Sequence, residues 1–160
     1  MNDESAIESE DPVPAPRNSI VVGHDGSDGA DSALAQALEI ANQLHAPVVI
    51  ARAWSIDTAP RPSNWEFGYV CSLEEYSAAV HEELVKDAKT IVGNFPAVSI
   101  DYRAVHSGAA KALIDLSRDA RMLVVGSRGR GGFAELMLGS VTDKCVRLAA
   151  CPVLVVRPRS

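Results

Sequence analysis

The sequence predicts an α/β fold: a doubly wound, five-stranded parallel sheet with helices on both faces. Three observations carry this. Strand-like runs alternate with runs of helical spacing from residue 19 to residue 156. The strand-like runs 19–22, 122–125 and Val153–Val156 are continuous rather than alternating in apolar character, the pattern of strands covered by helices on both faces. Glycine-bearing turns, Gly23-His24-Asp25-Gly26 and residues 126–132, follow two of these strands. Alternating strands and helices close into a parallel sheet through right-handed crossovers. Ligands in such sheets bind beyond the carboxyl ends of the strands, where strand order reverses, so both turns point at one crevice.

Each element has its own signal. Residues 19–22 form a first strand ended by Gly23. Ser27 or Asp28 caps the following helix, since a short side-chain oxygen accepts from an otherwise unpaired helix N–H. In that helix Leu34, Ala37, Leu38, Ala41 and Leu44 recur at helical spacing. Pro47 opens a second strand, Val48–Trp54, and residues 55–70, with Pro60, Pro62 and several turn formers, read as a long loop. That loop, with Trp54 and Trp65 nearby, is placed to close over the crevice. Helical spacing returns with Leu73, Tyr76, Val80, Leu84, Ala88 and Ile91. A third strand covers 98–105, and Gly108 introduces a short helix with Ala112, Leu113 and Leu116 on one face. The fourth strand is 122–125. A last helix carries Val141, Cys145 and Leu148 on one side, Pro152 stops it, and Val153–Val156 is the fifth strand.

Length and composition bound the function. A chain of 160 residues is one domain by prior and buries about 70% of its unfolded surface without needing a disulfide or metal. Net charge is −6, whereas a general nucleic-acid binder looks basic. Residues 1–18 hold Asp3, Glu4, Glu8, Glu10 and Asp11 against Arg17 alone and few large apolar groups, the composition of a disordered acidic tail. The domain is therefore expected over 19–160. Cys71, Cys145 and Cys151 form no CxxC pair, and an odd count suits a reducing compartment. The N-terminus has no apolar segment of a signal peptide, and no apolar run is long enough for a membrane helix. A cytoplasmic protein is expected, without nucleic-acid or membrane partners.

The chemistry concentrates in Gly-Ser-Arg-Gly-Arg-Gly-Gly-Phe-Ala-Glu-Leu-Met-Leu-Gly-Ser-Val, residues 126–141. Glycines sit where a buried strand ends and again where a helix begins. Without a Cβ, a glycine lets backbone N–H groups approach a ligand, and a helix N-terminus presents unpaired N–H groups to an anion. Each such contact is worth roughly 0.3–1 kcal/mol, so several together suit a phosphate chain held at about micromolar affinity. Arg128 and Arg130 lie between the glycines, either to pair with phosphate oxygens or as solvated surface charges. Gly139-Ser140 also reads as a plain helix cap, and Asp25-Gly26 as a plain turn pair. No Gly-Lys-Ser/Thr follows the glycines, so this is not a P-loop, and they do not sit in the first strand–helix turn as in a Rossmann fingerprint.

The spacing Gly126-x-x-Gly129, nine residues, then Gly139-Ser140 resembles the nucleotide-binding signature of the universal stress protein family. The resemblance covers about residues 19–157, including the opening Val-Val-Gly-His-Asp-Gly-Ser-Asp-Gly and the closing Cys-Pro-Val-Leu-Val-Val-Arg. It implies a nucleotide-binding α/β sandwich and an ATP site. Gly126, Gly129, Gly139 and Ser140 match positions that hold the triphosphate, with the Ser140 hydroxyl and the N–H groups of Ser140 and Val141 as donors. Asp25, after Gly23, matches the acidic position near ribose and Mg²⁺. Ala53 matches the position whose backbone contacts adenine. His24 departs from the family's apolar or small residue, and either lies beside the adenosine by this alignment or is a satisfied surface or turn histidine. Arg121 stands where an acidic residue is common. The resemblance also implies homodimers paired through the last strand, here Val153–Val156.

No serine sits in a G-x-S-x-G nucleophile elbow, and no cluster of His, Asp and Glu predicts a metal hydrolase. His106, beside Ser107-Gly108, has no metal-ligand partner at suitable spacing. The expected protein is thus an ATP-binding regulatory or signalling module of the stress response, at most a weak ATPase. A slow ATP-hydrolysing enzyme, a cyclic-AMP binder and a nucleotide-free dimeric scaffold stand as alternatives.

Overall fold

A computed structural model describes residues 11–62, 71–128 and 138–158. Among them the chain forms β1 (Ile20–Gly23), α1 (Asp28–Leu44), β2 (Val48–Trp54), α2 (Leu73–Val92), β3 (Ile100–His106), α3 (Ala109–Leu116), β4 (Met122–Gly126), α4 (Ser140–Leu148) and β5 (Val153–Val156). The strands make one sheet in the order β3-β2-β1-β4-β5, with every pairing parallel. From β1 the chain steps outward through β2 to β3, then returns to place β4 on the other side of β1. Strand order therefore reverses between β1 and β4.

The sheet has two cores because successive side chains on a strand point to opposite faces. Ile20, Val22, Val48, Ile50 and Val124 pack with Leu34 and Leu38 of α1 and Leu84 of α2. Val21, Val49, Ala51, Leu123 and Val125 pack with Leu113 and Leu116 of α3 and Cys145 of α4. Both sets come from the same strands, which is why β1 and β4 read as continuous apolar runs. Each fully buried Leu or Ile contributes about 1.5–3 kcal/mol over leaving it exposed.

Helix ends follow local chemistry. The Ser27 side chain caps α1 by accepting from the Ala30 N–H at 3.2 Å, and His45 ends the helix in the left-handed region at φ 53°. Ser72 caps α2 by accepting from the Glu75 N–H at 3.1 Å. Two periodic leucines do not join the core: Leu44 is 41% and Leu148 65% exposed. Each is the last residue of its helix, and in α4 the inward places belong to Thr142 and Cys145. The third strand begins at Ile100, later than the apolar run, because a turn closed by the Val98 N–H on the Phe95 carbonyl takes the residues before it.

The acidic N-terminal stretch differs from the expected tail over residues 11–18. Ala15 is buried against α3 and donates its N–H to the Leu116 carbonyl at 2.8 Å. Arg103 donates to the Val13 carbonyl, and Lys111 pairs with Asp11 at 2.8 Å. One small apolar residue flanked by prolines fits a shallow site and satisfies its backbone there, a signal too slight for composition to register. Residues 1–10 lie outside the described set.

The cysteines are free thiols. Burial, with a smaller contribution from nearby Cys151, pushes the Cys145 thiol up to about 11, in keeping with a small core residue. No helix among the described residues is long and apolar enough to cross a membrane. Ala15→Asp puts an unmatched charge into the α3 contact and is expected to cost about 2–3 kcal/mol, read as a lower urea midpoint. An unchanged midpoint contradicts the docking of residues 11–18.

Candidate functional site

The β1–α1 turn is built by its own side chains. Gly26 sits at φ 85°, where a Cβ is strained. The exposed Asp25 accepts from the Ser27 N–H at 3.0 Å and the Ser27 hydroxyl at 2.5 Å. Ser27 in turn caps α1, and Asp28 and Asp31 add negative charge to that helix's first turn. The α1 N-terminus is thus supplied with oxygens from its own sequence.

The α4 N-terminus is different. Its cap residue is Gly139, and among the described residues no side chain caps it. The Gly139 N–H donates to the Ser127 carbonyl at 2.9 Å, and the buried Thr142 hydroxyl donates to the Gly126 carbonyl at 2.6 Å. These two bonds fold the start of α4 back onto the end of β4. A helix's first-turn N–H groups, here those of Ser140 and Val141, have no intrahelical partner. The half-buried Arg128 follows directly. Gly129 and Arg130 lie outside the described residues.

The two turns meet at the point of strand reversal. A Cβ on Gly126 would stand 3.0 Å from the Gly29 carbonyl oxygen, and one on Gly29 would stand 3.0 Å from the Arg128 carbonyl oxygen. The first turn of α1 and the loop after β4 therefore touch backbone to backbone. Gly23, Asp25, Gly126, Arg128, Gly139, Ser140 and Val141 all fall at this carboxyl edge. Ala53, half-buried, lies one strand over near the end of β2, on the face it shares with Val49 and Ala51.

His24 does not lie open to the crevice. Its side chain is fully covered on the α1/α2 side of the sheet. Nε2 is 2.8 Å from Asp31 Oδ1, Arg52 Nη2 donates to Nδ1 at 2.7 Å, and the Gly26 N–H reaches Nδ1 at 3.2 Å. Arginine has no acceptor, so Nδ1 accepts and Nε2 carries the proton given to Asp31. Stacking on a base would require the ring to abandon this network. His106 stacks on Trp54, ring centroids 4.4 Å apart, at the β2–β3 end of the sheet, with Tyr76 at 6.0 Å on the same tryptophan. Trp54 is thus a buried residue, and Trp65, with residues 63–70, lies outside the described set.

Ser27, Gly29, Arg52 and Thr142 shape the site without having been singled out by motif. Arg52 had a signal: a lone cation inside the apolar run Val-Val-Ile-Ala-Arg-Ala-Trp must find partners once buried. Ser27 was read only as a cap, and Gly29 and Thr142 depend on contacts between segments distant in sequence. Chemically, the edge offers backbone N–H donors, a guanidinium and an exposed carboxylate. Among the described residues no group of three His, Cys, Asp or Glu gathers as a metal site. Thr142→Val removes the bond to Gly126 while keeping shape, and is expected to lower stability by about 1–2 kcal/mol in urea unfolding. A loss below a few tenths would show that this bond does not hold α4 in place.

Over residues 16–157 the sequence matches the universal stress protein family. A universal stress protein of Mycobacterium tuberculosis is 33% identical over 158 residues, which is 94% of this chain and 50% of that protein. Another from Mycolicibacterium smegmatis is 31% identical over 142 residues, 88% of this chain and 46% of that protein. The chain thus spans about half the length of these curated relatives. A crystal structure of a universal stress protein in complex with cAMP superposes with a TM-score of 0.65 at 27% identity, covering 89% of this chain and 98% of the other. The universal stress protein UspA from Lactobacillus plantarum shares the fold at a TM-score of 0.68 and 19% identity, covering 89% of this chain and 99% of the other. With nearly the whole domain matched and relatives above 30% identity, this chain belongs to the universal stress protein family.

Proposed function

We propose that this protein binds an adenine nucleotide, ATP in particular, at the carboxyl edge of the sheet and acts as a regulatory module of the stress response. The carrying observation is the α4 N-terminus, which among the described residues has no side-chain cap and is folded against Gly126 beside Arg128. A helix end of this kind stabilises a phosphate through its N–H groups and partial positive charge. The neighbouring end at α1 is already supplied by Ser27, Asp28 and Asp31. The similar protein crystallised with cAMP supports an adenine ligand. In this reading Gly126, Gly129, Gly139, Ser140 and Val141 hold the phosphates, Arg128 and Arg130 pair with them, and Ala53 offers backbone to adenine. Gly23 lets Leu113 of α3 pack against the β1 end, where a Cβ would stand 2.7 Å from the leucine Cδ1, and His24 shapes the turn from below.

Asp25 suits a ribose hydroxyl or Mg²⁺. Mg²⁺ is commonly held by one or two carboxylates together with phosphate oxygens and waters, and one exposed carboxylate beside a phosphate site meets that need. Such an ion would screen the phosphate charge. Asp25 already serves Ser27 through Oδ1, which makes it a poor base for water, so hydrolysis is slow at most. A homodimer through β5 is part of the same proposal. Every residue of β5 is only half-buried, and Val146 and Leu148 of α4 are 48% and 65% exposed nearby in sequence. A cytoplasmic location completes it.

Calorimetric titration of nucleotide-stripped protein with Mg²⁺-ATP is expected to give a Kd on the order of micromolar, about −8 kcal/mol. Cyclic AMP, with one phosphate, should bind more weakly, and Gly139→Val should abolish ATP binding in protein that remains folded. No binding of either ligand would discard the nucleotide reading and favour a nucleotide-free scaffold.

A further inference from the structure

We propose that Arg52 is a positioning residue for the nucleotide site, gripping the β1–α1 turn from inside the core so that Asp25 is presented at the crevice. This rests on the nucleotide reading above. Arg52 is 9% exposed, near the carboxyl end of β2. Its Nε donates to the His24 carbonyl at 2.9 Å, Nη2 donates to His24 Nδ1 at 2.7 Å, and Nη1 donates to Asp87 of α2 at 2.9 Å. One guanidinium therefore holds both the main chain and the ring of the residue immediately before Asp25.

The ring passes the constraint on. Nδ1 also receives the Gly26 N–H, and Nε2 is tied to Asp31 on α1. Residues on both sides of Asp25 are thus fixed to one imidazole, which is fixed to Arg52 and through it to α2. Arginine is suited to this because its planar fork offers several donors in fixed directions, whereas a lysine ammonium is a point charge on a flexible stem. Burying a cation is costly unless it is paired and hydrogen-bonded. Here Asp87 supplies the opposite charge and His24 two further acceptors. A simple tie between β2 and α2 needs only the Asp87 bond. The two bonds to His24 are what direct this residue at the turn.

The test uses the full chain, with Arg52→Lys and Arg52→Met. Nitrogen NMR should find His24 Nδ1 unprotonated and accepting in the wild type. In both variants the Gly26 amide should exchange with solvent about tenfold faster, the loss of roughly one hydrogen bond to a charged group. Calorimetry with Mg²⁺-ATP should show binding weakened about tenfold by Arg52→Lys. That loss should largely disappear when Asp25→Asn is already present, and persist in full beside Ser140→Ala, because Arg52 acts through Asp25 and not through the phosphates. Arg52→Lys keeps a charge opposite Asp87, so it serves if Arg52→Met fails to fold. Equal losses in both backgrounds, or Gly26 exchange unchanged in a folded variant, would overturn the proposal. Wild-type protein that binds no ATP would overturn the nucleotide reading instead, leaving the amide exchange and ring tautomer to decide whether Arg52 holds the turn.

Discussion

The backbone contact between the first turn of α1 and the loop leaving β4 is the constraint on which the carboxyl edge depends. Gly29 and Gly126 approach so closely that a Cβ on either would press against a carbonyl oxygen of the other segment. A carbonyl in rigid backbone yields little, because packed protein interiors have few voids to relax into. The contact fixes how far the β4–α4 loop can move from the β1–α1 turn. Thr142 and Gly139 then return the chain to the end of β4 and set the start of α4 over it. The anion-attracting helix end is in this way placed by packing, while the exposed carboxylate of Asp25 comes from the neighbouring strand.

The N-termini of α1 and α4, which meet at the strand reversal, have opposite electrostatic characters. At α1 the serine cap and acidic first turn offset the helix's partial positive charge. At α4 a glycine stands at the cap, and Arg128 adds positive charge close by. In the proposed site an arriving anion would be drawn to α4 and repelled from α1, which would orient a nucleotide with its phosphates at β4 and its sugar near β1. Beneath this surface His24 and Arg52 carry polar contacts through the α1/α2 side of the core. A neutral apolar residue in place of His24 would leave the Arg52 guanidinium short of acceptors, so the two residues make sense only together.

Much of this was legible in the sequence, for reasons that can be stated residue by residue. Val48–Trp54 and the helix of Leu34, Leu38 and Ala41 stood out because burial on a sheet imposes its periodicity over long runs. Gly126 and Gly139-Ser140 stood out through their spacing, and the fold brings them together at the carboxyl edge of β4 and the start of α4. Leu44 and Leu148 misled because periodicity says which face a residue occupies and not whether the sheet extends beneath it. The resemblance put His24 beside the adenosine, with a satisfied turn or surface histidine as the other reading, and adjacent residues in extended chain point to opposite sides. Its ring went to the α1/α2 side, where Arg52 and Asp31 await it. Those partners are distant in sequence or hidden among apolar neighbours, so only the folded chain could reveal them. Ala15 was lost to composition for the same reason: its contribution is one backbone bond and one small buried methyl.

The central claim is that a nucleotide phosphate sits at the α4 N-terminus between Gly126 and Ser140. Backbone amide NMR during titration with Mg²⁺-ATP addresses it most directly. A site at this edge predicts the largest shifts at the Gly126, Ser140 and Val141 amides, with smaller ones at Gly26 and Ala53. Shifts confined elsewhere, such as along β3 and the facing side of α2, or no saturable shifts at all, would contradict it.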